Sequence, residues 1–145
     1  MRILIDADGS PVVDLTVRIA KGNGIECFML CDTAHFFGKD GATTITVSKG
    51  ADSVDFALVN MVHSGDIVIT QDFGLAAMSL ARKAIPMNQD GMVYDDSNIE
   101  GLLAQRHMAQ EVRRAGGRLS GPSKRTEEQN AVFAKALSEL IAKKK

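Results

Sequence analysis

The stretch Arg2-Ile3-Leu4-Ile5-Asp6 opens the chain with an almost uninterrupted apolar run that ends on a carboxylate. Short runs of this kind, without alternating polar residues, are typical of strands buried on both faces of a parallel sheet. A second such run, Asp66-Ile67-Val68-Ile69-Thr70, lies near the middle of the chain. These two stretches therefore predict the centre of a parallel sheet.

Strand and helix patterns alternate outward from these two runs. We predict strands at residues 2–6, 25–30, 43–47, 66–70 and 84–87, and helices at 11–20, 52–62, 72–82, 98–115 and 126–145. Ser97 with Glu100 and Thr126 with Gln129 have the spacing of capping boxes before the last two helices. Because strands and helices alternate, we expect an α/β three-layer sandwich with a central, mostly parallel sheet of about five strands.

The composition fits one domain of ordinary size. The chain has 145 residues, 45% of them hydrophobic and 24% charged, which is enough for an independent core. We expect residues 1–119 to form the α/β domain and residues 120–145 to be a linker and a helix packed on it. No apolar run approaches the ~20 residues that span a bilayer, and Asp6 comes too early for a signal peptide. We therefore expect a cytoplasmic protein with no membrane contact, whose two cysteines are buried thiols.

The net charge of −1 hides an asymmetry. Residues 1–105 carry 7 Lys+Arg and 14 Asp+Glu, whereas residues 106–145 carry 10 and 4. A basic stretch, which is either a solvated face or a strip that contacts phosphates, consists of Arg106, Arg113, Arg114, Arg118, Lys124 and Arg125. This pattern indicates either an acidic centre beside a basic arm for polyanions, or two parts of one domain that attract each other.

Several aspartates lie where the predicted strands end. Asp6 closes the first strand, Asp8 follows it, and Asp72 follows the fourth strand. Asp52 and Asp55 share one face of the helix after the third strand, because they are three residues apart. Ligands of open parallel sheets bind at the carboxyl edge, so we expect these carboxylates to converge there. Such a cluster suits Mg²⁺ or Mn²⁺ and the hydrolysis of phosphodiesters.

Each aspartate also has a structural interpretation. Asp52 and Asp72 are well placed as helix N-caps, Asp55 as an acidic residue at a helix N-terminus, and Asp8 as part of the turn before Pro11. Asp6 is the hardest to explain structurally, because an unpaired buried carboxylate is costly. The hypothesis of a site rests on the joint pattern.

The chain resembles the YaiI/YqxD family of uncharacterised bacterial proteins, which is related to PIN-like nuclease domains. The resemblance covers nearly the whole chain and rests on Ile5-Asp6-Ala7-Asp8 with Pro11, Gly50-Ala51-Asp52-Ser53-Val54-Asp55, Gly65 to Asp72 with Leu75-Ala76, Asn98-Ile99, Leu103-Ala104 with Arg106, Gly121-Pro122, and the helix from Phe133 to Leu140. It implies a PIN-like sandwich and a metal-dependent RNase or DNase activity, with RNA favoured.

By this resemblance, Asp6, Asp55 and Asp72 fall where PIN-like domains keep acidic metal ligands, and Asp8 and Asp52 support them. The family usually has Asp-Ala-Cys-Pro where this chain has Asp8-Gly9-Ser10-Pro11, so the Ser10 hydroxyl takes the position of a thiol. The residues that we expect to contact the substrate are Ser10, Thr70, Arg106, Lys124 and Arg125.

Two other functions compete with the nuclease. One is a degenerate PIN-like module that binds nucleic acid or protein without cleaving it. The other, which the residues favour less, is a phosphatase of the HAD type with Asp6 as nucleophile, Asp8 as acid/base, Asp95-Asp96 on Mg²⁺ and Lys83 as the required lysine. The sequence leaves the oligomeric state open, with a homodimer among the alternatives.

Overall fold

Strands and helices alternate along the chain in the computed structural model, which describes residues 1–32, 40–48, 53–114, 116 and 124–144, without the side chains of residues 53, 106, 109, 110 and 112–114. The strands are β1 (Arg2–Asp6), β2 (Glu26–Asp32), β3 (Thr43–Val47), β4 (Ile67–Ile69) and β5 (Ile85–Met87). The helices are α1 (Val13–Gly22), α2 (Ser53–Met61), α3 (Phe73–Ala81), α4 (Ile99–Arg114) and α5 (Glu127–Lys144).

The strands form one parallel sheet in the order β3-β2-β1-β4-β5. β1 lies at the centre, with Ile3 opposite Cys27 of β2 on one side and Ile67 of β4 on the other. The chain builds the sheet outward from β1 to β3 and then returns to the other side of β1. The order therefore reverses between β1 and β4, and a crevice is expected there at the carboxyl edge.

Successive residues of β1 supply two separate cores, as expected for a strand buried on both faces. Ile3 and Ile5 belong to a cluster that contains residues of α1 and α5, whereas Leu4 belongs to a cluster with residues of α2 and α3. The prediction of a three-layer α/β sandwich is therefore confirmed. The sheet is parallel throughout, where the sequence indicated only a mostly parallel one.

Helix α5 is held on the first of these cores. Its Phe133, Leu137 and Ile141 side chains are at most 1% exposed and share a cluster with β1 and α1. The predicted capping box at its start is confirmed, because the Thr126 amide donates to Gln129 Oε1 (2.7 Å) and the Gln129 amide donates to Thr126 Oγ1 (3.3 Å). Burial of three large apolar side chains makes α5 part of the folded unit.

The predicted capping box of Ser97 and Glu100 was wrong in register. Asp95 Oδ1 accepts from the Asn98 amide (2.9 Å), and Asn98 Oδ1 accepts from the Asp95 amide (3.0 Å). The Ser97 hydroxyl donates to Asp95 instead of capping the helix. The reciprocal pair lies two residues earlier because Asp and Asn cap as well as Ser, and spacing alone does not choose between them.

Both cysteines are buried on β2 as thiols that form no disulfide, as predicted. Burial raises the pKa of Cys27 to about 12, so its thiol is unreactive at neutral pH. Among the described residues, no helix is both long and apolar enough to cross a membrane.

Candidate functional site

The loops that follow β1 and β4 meet at the carboxyl edge of the sheet and line an open cleft. Its volume is ≈ 560 Å³, within the range of small-molecule sites. The residues that line it are Asp6, Asp8, Gly9, Gln71, Asp72 and Phe73. The cleft lies where the strand order reverses, which is where ligands of open α/β sheets bind.

The carboxyl end of β1 and the loop after it carry two of the carboxylates. Asp6 is the last residue of β1, and the Ala7 amide continues the pairing with β2 by donating to the Leu30 carbonyl (3.0 Å). Asp8 Oδ2 accepts from the Asp32 amide (2.9 Å), whereas Asp8 Oδ1 is buried and has no hydrogen-bond partner among the described residues. A buried carboxylate oxygen without a donor is costly, and a bound cation would relieve that cost.

Thr70 joins the two loops through its single hydroxyl. The hydroxyl donates to Asp6 Oδ2 (2.9 Å) and accepts from the Asp72 amide (3.0 Å). The Thr70 carbonyl in turn accepts from the hydroxyl of Tyr94 (3.3 Å), which is 1% exposed. Both Asp6 and the backbone before α3 are thus held from a buried, rigid position.

Asp72 both caps a helix and lines the cleft. Its Oδ1 accepts from the amides of Gly74 (2.8 Å) and Leu75 (3.1 Å) at the start of α3. The sequence allowed either a cap or a site residue, and the structure places this side chain in both environments. Gln71 gives a second link between the loops, because its Nε2 donates to the Gly9 carbonyl (3.0 Å).

The electrostatics of the cleft are dominated by negative charge. The pKa of Asp6 is raised to about 6: burial raises it most, the hydrogen bond from Thr70 lowers it, and the charges of Asp55, Asp72 and Asp8 add to the rise. Asp55 therefore interacts with Asp6 from α2 although it does not line the cleft. A carboxyl group surrounded in this way favours protonation or the approach of a cation.

The described residues fit a cation that keeps part of its water shell. Among them, no group of three or more His, Cys, Asp and Glu side chains is arranged to hold a metal ion. Mg²⁺ commonly binds through one or two carboxylates together with water and substrate phosphates. The Asp8 oxygen without a donor and the neighbouring Asp6 suit that mode better than a site built wholly of protein ligands.

The residues predicted to form the metal site are largely brought together. Asp6, Asp8 and Asp72 share the cleft, and Asp55 lies within electrostatic range of Asp6. Asp52 lies outside the described residues.

The residues predicted to contact the substrate are placed more variously. Ser10 Oγ accepts from the Val12 amide (3.3 Å) before α1, and Thr70 has the contacts given above. Arg125 donates to Asp90 Oδ1 (3.0 Å) and also to the Gln89 carbonyl. Lys124 is exposed, and the side chain of Arg106 is not among those that the structure describes.

Three residues of the site were not singled out from the sequence. Gln71 and Phe73 flank Asp72, and the rule that ligands bind beyond the carboxyl ends of strands would have included them. Tyr94 lies more than twenty residues after Thr70 in the chain, so no local pattern connects the two. Its contact with Thr70 arises from the packing of the segment after β5.

The geometry does not favour the phosphatase. Lys83 lies just before β5, whereas Asp6 ends β1, so the two residues lie at opposite edges of the parallel sheet. Asp95 is engaged as the cap of α4. In that reaction type the lysine and the acidic pair must reach the nucleophilic aspartate.

Comparison with known proteins identifies relatives along the whole chain. Residues 4–143 match the model of a family described as uncharacterised, YaiI/YqxD family. A UPF0178 protein of Exiguobacterium sibiricum is 55% identical over 144 residues, which is 99% of each chain. A UPF0178 protein of Ruminiclostridium cellulolyticum is 50% identical over 94% of this chain and 90% of its own length. No solved structure matches the chain.

Proposed function

The chain belongs to the YaiI/YqxD family, and from that premise and the geometry of the cleft we propose that it is a PIN-like, divalent-cation-dependent nuclease that hydrolyses phosphodiester bonds, with RNA the favoured substrate. One observation carries the proposal. Carboxylates from the loops after β1 and β4 share one cleft at the point where the strand order reverses.

Asp6, Asp8 and Asp72 are the residues that would hold the cation, with Asp55 and Asp52 as supporting acidic groups. Mg²⁺ or Mn²⁺, when bound, supplies a Lewis acid and lowers the pKa of coordinated water. The described residues that line the cleft include no cationic side chain, so a cation is needed before the negatively charged cleft can bind a phosphate. The basic residues Arg106, Lys124 and Arg125 would extend the contact with the nucleic-acid backbone.

The protein's own contribution is orientation. Thr70 fixes one oxygen of Asp6, and the Asp32 amide fixes one oxygen of Asp8. In each carboxylate this leaves the other oxygen for the cation. Preorganised charge of this type needs no rearrangement when the reaction occurs.

Cleavage of labelled RNA and DNA single strands in Mn²⁺ or Mg²⁺ tests the proposal. We compare the wild-type chain with the Asp6→Asn, Asp72→Asn double variant. Asparagine caps helices as well as aspartate, so the double variant loses charge and keeps the start of α3. The exposed Asp96→Asn variant is the matched control. Cleavage that needs the cation, is lost in the double variant and survives in the control supports a nuclease. Equal cleavage by all three proteins would refute it.

A second candidate function is a nucleic-acid-binding module without catalysis. Two observations favour this alternative. The described carboxylates do not form a group of three that could hold a metal ion, and Gly9-Ser10 replaces the family's Ala-Cys. Such a module should keep its affinity for nucleic acid both in EDTA and in the Asp6→Asn variant. Loss of affinity under either condition would exclude it.

A further inference from the structure

We infer that Phe73 is the surface on which an unpaired nucleobase stacks, so that the cleft selects single-stranded nucleic acid. This inference rests on the proposed function, because it assigns a substrate class to the same cleft. Phe73 is the one aromatic residue among the described residues that line it. The other described lining residues are carboxylates, a glycine and an amide, which offer polar groups for ions and for a nucleic-acid backbone but no surface for stacking.

The ring of Phe73 is held in place before any ligand arrives. Phe73 is the first residue of α3, directly after the Asp72 cap. Its ring packs on Tyr94 with centroids 6.0 Å apart and planes at 64°. Tyr94 is itself fixed by its buried hydrogen bond to the Thr70 carbonyl. A preorganised ring loses little conformational freedom on binding, which favours its use as a binding surface.

The position of Phe73 in the chain couples base binding to the acidic groups. Phe73 is adjacent to Asp72, and Asp72 and Asp6 are linked through Thr70. A base that lies on Phe73 therefore brings its own backbone phosphate to the carboxylates of the same cleft. The volume of ≈ 560 Å³ suits a nucleotide better than a lone hydrated ion.

Stacking on an aromatic ring requires a free base face. In a duplex both faces of each base are covered by neighbours, whereas unpaired bases can turn outward and stack on aromatic side chains. Such stacking tolerates any base, because each base has a π-face. Phe73 therefore predicts preference for unpaired strands with little choice among bases.

The test measures binding of a labelled single-stranded RNA oligomer, with Ca²⁺ in place of Mg²⁺ to limit cleavage. The probes are the single strand, a hairpin duplex of the same composition, and a single strand with abasic positions. The proteins are the wild type, Phe73→Leu, Phe73→Tyr and the control Phe56→Leu. Phe56 is also aromatic and is 61% exposed on α2, but it does not line the cleft.

The expected result is a roughly 5- to 100-fold weaker affinity of Phe73→Leu for the single strand. Phe73→Tyr and Phe56→Leu should bind like the wild type, and the duplex should bind weakly to every protein. The abasic probe should bind the wild type as weakly as the intact strand binds Phe73→Leu. The comparison of the intact and abasic strands on the wild type needs no variant, so it stays valid even if Phe73→Leu fails to fold.

Equal binding of the intact and abasic strands by the wild type would overturn the inference, as would the absence of single-strand binding. The two proposals fail separately. Base-dependent binding without cleavage in Mn²⁺ would remove the nuclease and leave the stacking site. Cleavage with no preference for unpaired or intact bases would keep the nuclease and remove the role of Phe73.

Discussion

Replacement of Asp6 by asparagine should make the protein more stable at neutral and alkaline pH. The raised pKa of Asp6, about 6 against 3.8 in the unfolded chain, means that the folded protein holds this proton more tightly. Below pH 3.8 the Asp6 carboxyl is protonated in both the folded and the unfolded states, so it does not change the free energy of unfolding. As the pH rises from 3.8 to 6, the unfolded chain ionises before the folded protein does, so the folded state loses stability, by about 3 kcal/mol in full above pH 6.

The variant removes this cost and keeps an oxygen that accepts from Thr70. We expect Asp6→Asn to gain about 1 kcal/mol at about pH 4.5 and about 3 kcal/mol at about pH 8. Urea unfolding in EDTA at the two pH values measures both numbers, with the exposed Asp96→Asn as the control. A gain that does not change with pH, or a loss at the higher pH, would refute the argument that the charge of Asp6 is unfavourable in the folded protein.

The same carboxylate gives a further expectation for the wild type, and three other features give expectations of their own. Excess Mn²⁺ should stabilise the wild type by about 2.7 kcal/mol at 100 times its dissociation constant and leave Asp6→Asn unchanged; thermal unfolding with and without the ion measures this. Thr70→Val should weaken Mn²⁺ binding by titration calorimetry, whereas Thr70→Ser, which keeps the hydroxyl, should restore it. The Asp66 carboxylate accepts a hydrogen bond from the Arg2 guanidinium (2.6 Å). Burial raises the pKa of Asp66, but hydrogen bonds from Arg2 and His63 outweigh it and lower that pKa. Asp66→Asn should therefore cost about 3 kcal/mol at neutral pH, and the difference should shrink on acidification through the unfolded pKa of 3.8 and below; a constant difference in urea unfolding would contradict this. Gly91 has a φ of 86°, and a Cβ there would lie 2.7 Å from the Ala136 Cβ on α5. Gly91→Ala should destabilise the protein by about 1–3 kcal/mol, whereas Gly22→Ala, with nothing within 4 Å, should not.

The sequence predicted the sheet because its strands are short apolar runs with few competing interpretations. β3 was placed at its observed bounds, and β1 and β4 predicted which aspartates reach one edge. The direction of parallel strands carries this information, since it places every strand end on the same side. The positions of Asp6, Asp8 and Asp72 in one cleft followed from that rule.

Contacts between distant segments could not be predicted in the same way. Arg125 belongs to a basic stretch, and nothing in the sequence pairs it with Asp90, 35 residues earlier, to which it donates a hydrogen bond. Phe73 has a large apolar side chain, which is typical of a core residue. Its place at the cleft depends on the distance between α3 and the loop after β1. Such features depend on which surfaces approach each other, and periodicity within one element does not contain that information.

The pairing of β1 with β4 also determines when the cleft can exist during synthesis. Asp6 and Asp8 leave the ribosome early, whereas Thr70 and Asp72 follow more than sixty residues later. Domains emerge from their amino ends, so a nascent chain carries half of the acidic cluster until β4 docks beside β1. Truncated products that end before β4 would lack Thr70, Asp72 and Phe73, and could neither hold the cation as proposed nor stack a base. Ribosome-bound chains of increasing length should therefore acquire cation binding in one step, after β4 has emerged.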